Sequence, residues 1–265
     1  MAPILAENHV GIAVDRNKSE RSGKREDVPG PRFSPRRCLV VFSKVPRPGR
    51  VKTRLIGKLT AEQAANLHAA FLEDLIEDMG RGRFELRIAW ALESEEAPPT
   101  CSVQSFVQEG EDLGLRLYQA LYLLGREYPL VGAVGSDHPA LSVSHVDLAF
   151  DKLANGADVV LGPAGDGGYY LVAVRQEALN LELFEGIPWS SSEVLSTTLD
   201  RCQKLELAVA LLPTVSDVDT PKDLHRLIDE MERNPQVGGA RTRALLRSWK
   251  TRVPTAWRGG RDESS

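Results

Sequence analysis

The sequence predicts an α/β fold: a single Rossmann-like domain with a mostly parallel central sheet and helices on both faces. Three observations predict the α/β layering. Strand-like and helix-like segments alternate from about Arg37 to Asn234, as parallel-sheet architectures require. CLVVFS (38–43) and LVGAVGS (130–136) are continuous apolar runs, the mark of strands covered on both faces. The helix segments carry their own start signals, clearest at Thr60 with Gln63 and at Thr220 with Pro221 and Asp223.

In chain order, CLVVFS is the first strand. A helix follows, with Ala64, Leu67, Phe71, Leu75 and Met79 at helical spacing. FELRIAWAL (84–92) puts Phe84, Leu86, Ile88, Trp90 and Leu92 on one face and reads as a strand. LGLRLYQALYLLGRE (113–127) is a helix, LVGAVGS a buried strand, and HVDLAFDKLAN a helix. ADVVLGP (157–163) and YYLVAV (169–174) are two more strands. SSEVLSTTLDRCQKL is a helix, LAVALLP (207–213) a last strand, and TPKDLHRLIDEME a capped helix. In such sheets ligands sit beyond the carboxyl ends of the strands, which directs attention to the loops after residues 43, 136 and 163.

The ends read differently. Residues 1–36 are expected to be a disordered leader: DRNKSERSGKRED (15–27) alternates charge without apolar period, and PGPRFSPRR adds three prolines. Residues 235–265 are arginine-rich and broken by Gly-Gly pairs, the pattern of a flexible basic tail. Alternatively, Leu245, Leu246, Trp249 and Val253 form one face of a short basic helix that makes weak contact with a membrane surface or a partner.

Composition excludes several classes. A formal charge of −4 argues against a nucleic-acid-binding chain. Cys38, Cys101 and Cys202 match no zinc or CxxC spacing. No apolar run reaches the ~18 residues of a membrane span, and the first residues lack a secretory pattern, so the cytoplasm is the expected location. The sequence leaves the oligomeric state open.

The opening loop, FSKVPRPGRVKTRL (42–55), places Lys44, Arg47, Arg50, Lys52 and Arg54 within eleven residues after the first strand. It is not a Walker loop, because Val51 precedes Lys52 and Pro46 stands where the earlier glycine belongs. Gly49 lets backbone approach a ligand, and the arginine forks and lysine charges suit a diphosphate. A solvated basic turn is the bland alternative. In AVGSDHPALS, Asp137 leaves a buried strand toward the crevice, where it holds Mg²⁺ or Mn²⁺ or else caps a turn. GPAGDGGYYLVAV surrounds Asp166 with glycines and reads either as a ligand-facing loop or as a hairpin turn. In SDVDTPKDL, Asp217 and Asp219 share a face suited to a cation, or serve helix electrostatics.

Taken in order, FSKVPRPGRVKTRL, QEGEDLGLRL, GSDHPAL, GPAGDGGYYL, IPWSSSEVL and DVDTPKDL resemble the radical-SAM/selenodomain-associated transferases, also called arsenosugar-biosynthesis-type glycosyltransferases. The resemblance covers about Arg37 to Arg233. It implies a nucleotide-diphospho-sugar transferase domain, of the GT-A type, over 37–234. It implies that Ser43, Lys44, Gly49, Lys52 and Arg54 meet the nucleotide phosphates, and that Asp137 and Asp219 hold a divalent cation. Asp166, Gly167, Gly168 and Trp189 would meet the sugar or acceptor, with Asp166 the base. GSDHPAL carries one acid where a glycosyltransferase DxD has two. The expected reaction is sugar transfer from a nucleotide sugar to a small-molecule or lipid acceptor, assisted by Mg²⁺ or Mn²⁺. The alternatives are guanylyltransferase-like nucleotidyl transfer from a nucleoside triphosphate, and non-catalytic nucleotide-sugar binding.

Overall fold

Seven strands form one twisted sheet in the order β3-β2-β1-β4-β6-β5-β7. The computed structural model describes residues 36–93, 97–234 and 237–252, and the side chains among them up to Trp249. The strands are β1 (Arg37–Lys44), β2 (Glu85–Ala91), β3 (Ser105–Val107), β4 (Leu130–Gly135), β5 (Val159–Pro163), β6 (Tyr169–Arg175) and β7 (Val209–Leu211). All pairings are parallel except those of β6, which runs against both β4 and β5.

The helices are α1 (Ala61–Met79), α2 (Leu113–Gly125), α3 (Val143–Ala154), α4 (Val194–Lys204), α5 (Pro221–Arg233) and α6 (Ala240–Arg252). They cover both sheet faces. Leu39 and Val41 of β1 pack with Leu72 and Leu75 of α1 and Phe150 of α3. The alternate residues Cys38 and Val40 pack with Leu117 and Leu121 of α2 and Cys202 of α4. One continuous apolar run thus feeds two cores, because successive side chains point to opposite faces. The capping boxes expected at Thr60–Gln63 and Thr220–Asp223 are formed.

The hairpin alternative for GPAGDGG is the pairing found. β5 and β6 are antiparallel neighbours, with a register shift at Gly162/Pro163. Strand β3, three residues on the sheet edge, has no counterpart in the elements read from the sequence.

Over Ala240–Arg252 the tail is α6, as in the alternative reading of a short basic helix and not as a flexible segment. Leu246 and Trp249 are buried in a third core with Leu67 and Phe71 of α1 and Leu227 of α5. That apolar face is covered by protein rather than offered to lipid. Arg241 ion-pairs with Glu73 of α1 at 2.9 Å. The leader (apart from Arg36) and Val253 lie outside the described residues. No helix among the described residues is long and apolar enough to cross a membrane.

Candidate active site

Four loops meet at the carboxyl end of the parallel strands, those after β1, β4, β5 and β7. Two backbone links tie them together. The Val218 N–H donates to the Asp137 carbonyl at 3.2 Å, and Ala164 bridges to Val215. The segment 212–220 is thereby laid between the Asp137 turn and the β5–β6 hairpin.

Lys52 is the centre of the assembly. Its Nζ lies 2.7 Å from Asp137 Oδ1 and 3.1 Å from Asp219 Oδ1, and donates to the Val218 carbonyl at 2.7 Å. Its side chain is 2% exposed, against 43% for Asp137 and 40% for Asp219. Two of the ammonium's three protons go to Asp219 and the Val218 carbonyl as hydrogen bonds, and Asp137 Oδ1 is held by charge, as an ion pair. The residue has φ 49° and ψ 36°, a left-handed conformation that costs a lysine roughly 1–2 kcal/mol. Val51 and Leu55, both buried, anchor the turn on either side. Lys52, expected on the phosphates, directs its ammonium at these oxygens from the floor of a cleft that it helps to line.

Asp137 has a second neighbour. His68 Nδ1 is 3.4 Å from its Oδ1, and His68 Nε2 is 3.2 Å from both the Lys44 carbonyl and Ser43 Oγ. Burial alone would raise the Asp137 pKa, but the Lys52 charge and the His68 interaction outweigh it and hold the carboxyl far below the usual range. Asp217 is pushed the other way, by burial and by the nearby charges of Asp219 and Asp166.

Above Asp137 and Asp219 opens a cleft of about 530 Å³ lined also by Lys44, Arg54, Gln108, Arg116 and Ser190. Lys44 and Arg54 are exposed at its rim. Arg116, one turn into α2, is steadied by donating to the Gly110 carbonyl at 2.9 Å. Gln108 Nε2 donates to the Ala89 carbonyl at 2.8 Å. Ser43 is buried beneath the cleft and its hydroxyl donates to the Lys44 carbonyl. Gly49 has φ 76° in an exposed turn with open space around it.

Asp166, Gly167, Gly168 and Trp189 do not line this cleft. Asp166 Oδ1 accepts from the Gly168 N–H at 3.0 Å, folding the loop onto itself. Gly167, at φ 91°, has no room for a Cβ, which would stand 2.2 Å from the Ser192 carbonyl oxygen. Packing against the approach to α4 accounts for that glycine without a ligand. Trp189 sits edge-on to Tyr169 at 6.2 Å and fills the space beside Gly114. Its neighbour Ser190, at φ 67°, is the one that reaches the cleft.

His68, Gln108, Arg116 and Ser190 were not among the site residues expected from sequence. His68 lies on the buried side of α1 and carries no signal of its own. Arg116 belongs to the QEGEDLGLRL motif, whose glycine at 110 (φ 133°) and N-cap Asp112 turn it toward the cleft.

Among the described residues, no group of three His, Cys, Asp or Glu side chains is placed to hold a metal. Asp137 and Asp219 alone converge on one cationic position. This donor set fits Mg²⁺ or Mn²⁺ that takes its remaining ligands from phosphate and water, the usual habit of Mg²⁺ at nucleotide sites. It does not fit an ion caged wholly by protein.

Comparisons with known proteins agree with the fold. The family model DUF2064, "Uncharacterized protein conserved in bacteria", matches residues 76–191. A crystal structure from Desulfovibrio desulfuricans G20, described as a candidate nucleotide-diphospho-sugar transferase, is 30% identical. It superposes with a TM-score of 0.77 over 83% of this chain and 97% of that one. A cytidylyltransferase from Leptospira borgpetersenii is 14% identical over 83% and 96% of the chains, with a TM-score of 0.49. Glucosyl-3-phosphoglycerate synthase from Mycobacterium tuberculosis, solved with Mn²⁺ and UDP, is 13% identical over 83% and 80%, with a TM-score of 0.44. At such values the last two likenesses carry no argument about this chain. No curated protein sequence matches this one.

Proposed function

We infer the function from one premise: the chain belongs to the DUF2064 family of bacterial proteins. It is a transferase that takes a sugar from a nucleoside-diphosphate donor, on a GT-A type domain, and passes it to an acceptor hydroxyl. The observation that carries this reading is the pairing of a cationic rim, Lys44, Arg54 and Arg116, with two convergent carboxylates in one cleft at the carboxyl end of the sheet. The description of the D. desulfuricans relative as a nucleotide-diphospho-sugar transferase supports it, as do the six motifs shared with the arsenosugar-biosynthesis-type transferases.

The rim cations bind and orient the diphosphate through charge-assisted hydrogen bonds. Asp137 and Asp219 would hold a divalent cation, which when bound neutralises charge on the departing diphosphate. His68 and Lys52 fix the Asp137 carboxylate from below. In the transfer, the bond between the sugar's anomeric carbon and the diphosphate oxygen breaks, and the diphosphate leaves with the electron pair. A new bond forms to the acceptor oxygen, whose proton goes to a carboxylate. The base expected from the sequence, Asp166, is exposed on the neighbouring hairpin loop and would reach the acceptor only by turning its carboxylate from the Gly168 N–H toward the cleft.

A thermal-shift panel of nucleoside triphosphates, diphosphates and nucleotide sugars, each with Mg²⁺, Mn²⁺ or chelator, tests the reading. A nucleotide sugar at about 100 times its Kd should stabilise the fold by roughly 2.7 kcal/mol, with metal dependence. Stabilisation by a bare triphosphate in preference to every nucleotide sugar would replace sugar transfer by nucleotidyl transfer.

A further inference from the structure

We propose that Lys52 is the resident cation of the carboxylate pair, and that its ammonium and a divalent ion compete for Asp137 and Asp219. The inference rests on the transferase reading only in expecting Mg²⁺ or Mn²⁺ at this site.

Three hard oxygen donors from two separate segments surround one point charge. They are Asp137 Oδ1 at 2.7 Å, Asp219 Oδ1 at 3.1 Å and the Val218 carbonyl at 2.7 Å. A small divalent ion asks for the same kind of donor. With two hydrogen bonds below the cleft and its charge held by Asp137, Lys52 is engaged within the protein, unlike Lys44 and Arg54 exposed at the rim. The layering is also that of a counter-ion: the ammonium is sealed below, while the two acids remain partly exposed toward the cleft. The left-handed backbone at Lys52, held between buried Val51 and Leu55, aims the side chain inward.

Electrostatics supplies the consequence. Without a cation, two carboxylates converging on one point repel each other. Lys52 removes that repulsion in the empty protein. A divalent ion that engages either acid weakens the hold on the ammonium, and a buried charge deprived of its partner is driven toward water or toward another anion. The phosphates of a bound donor are such an anion. Lys52 would then serve the phosphates only once the metal has arrived, which makes donor binding conditional on metal.

The test measures metal without nucleotide or turnover. Mn²⁺ binding is read by electron paramagnetic resonance of the free ion, on the wild type, Lys52→Met and Lys52→Met/Asp219→Asn. Competition predicts Mn²⁺ bound at least about tenfold more tightly by Lys52→Met, within the usual range of coupling between ligands, and the gain reversed in the double variant. Equal or weaker binding by folded Lys52→Met overturns the proposal. A wild-type measurement covers a variant that fails to fold. Amine-reactive labelling with peptide mapping should show Lys52 protected without metal, and more reactive relative to Lys44 and Lys58 at saturating Mn²⁺. Unchanged Lys52 labelling at saturating Mn²⁺ overturns it equally. If the metal results hold while no nucleotide sugar stabilises the protein, the transferase reading falls and the lysine–metal competition stands.

Discussion

The carboxylate of Asp74, on α1, accepts hydrogen bonds from the backbone N–H groups of Arg241 at 3.0 Å and Thr242 at 2.8 Å. A residue 168 positions away in sequence thus satisfies the first turn of α6, supplying both acceptor and negative charge where a helix N-terminus needs them. One turn along α1, Asp78 does the same for α3, accepting from the Val143 N–H at 2.7 Å. Replacement of Asp74 by Ala should cost about 1–2 kcal/mol, concentrated in α6. Hydrogen exchange of amides 240–249 should accelerate more than that of β1 or β4. Uniform acceleration across the sheet would show that α6 has no separate dependence on this carboxylate.

Gly167 supports a second prediction. Its φ of 91° and the 2.2 Å approach of a built Cβ to the Ser192 carbonyl oxygen leave alanine neither conformation nor space. Gly165, without positive φ, would place a Cβ 3.6 Å from Ser216 Oγ, an ordinary contact. Denaturant melts should give Gly167→Ala a loss of at least about 2 kcal/mol, from left-handed strain plus overpacking, and leave Gly165→Ala within about 1 kcal/mol of wild type. Equal stability of the two variants would remove packing as the reason for glycine at 167.

The rim makes a binding prediction. A charge-assisted hydrogen bond contributes about 1.5–3 kcal/mol, so Arg116→Ala should weaken the stabilising nucleotide about tenfold or more. Arg54→Ala, altering a more exposed cation, should act less and mainly at low ionic strength, where screening is weak. Calorimetric titration at two salt concentrations checks both. No loss for Arg116→Ala would move the phosphates away from α2.

Stability should fall on acidification in two stages. Burial holds His138 and His145 below the ordinary histidine value. The unfolded chain therefore binds protons that the folded chain refuses once the pH drops below about 6.5. This contribution is complete above that pH and lost on descent toward the folded values. Asp137, whose folded value is depressed, adds a second loss that begins below about pH 4. Guanidinium melts from pH 8 to pH 3 should trace both. His145→Gln should flatten part of the slope between pH 6.5 and 5, and an unaltered slope would remove His145 from the account.

Much of the architecture was legible in the sequence. The runs at 38–43 and 130–136 announced central strands, and Thr60–Gln63 and Thr220–Asp223 announced helices, because these signals are local. What escaped depends on partners far away. Helix α6 takes its cap from Asp74 and its apolar contacts from Phe71 and Leu227, so its own Gly- and Arg-rich sequence looked loose. Strand β3 is too short to show a period. At the site, the sequence brought Lys52, Asp137 and Asp219 to one place but not to one another. A lysine in a basic loop reads as phosphate-binding, and no local signal announces that a backbone at φ 49° aims its ammonium at Asp137 and Asp219. The hairpin glycines looked like ligand space, whereas Gly167 answers to Ser192.

The two outermost strands, β3 and β7, have three residues each, and that brevity matters in a crowded solution. A foreign strand seeking to extend the sheet would find only a stub at either margin, too short for a ladder that outweighs the entropy of capturing it. Val107 and Leu211 stand exposed there without offering a template. The sheet ends where it does, and fibril growth by strand addition is refused at both borders.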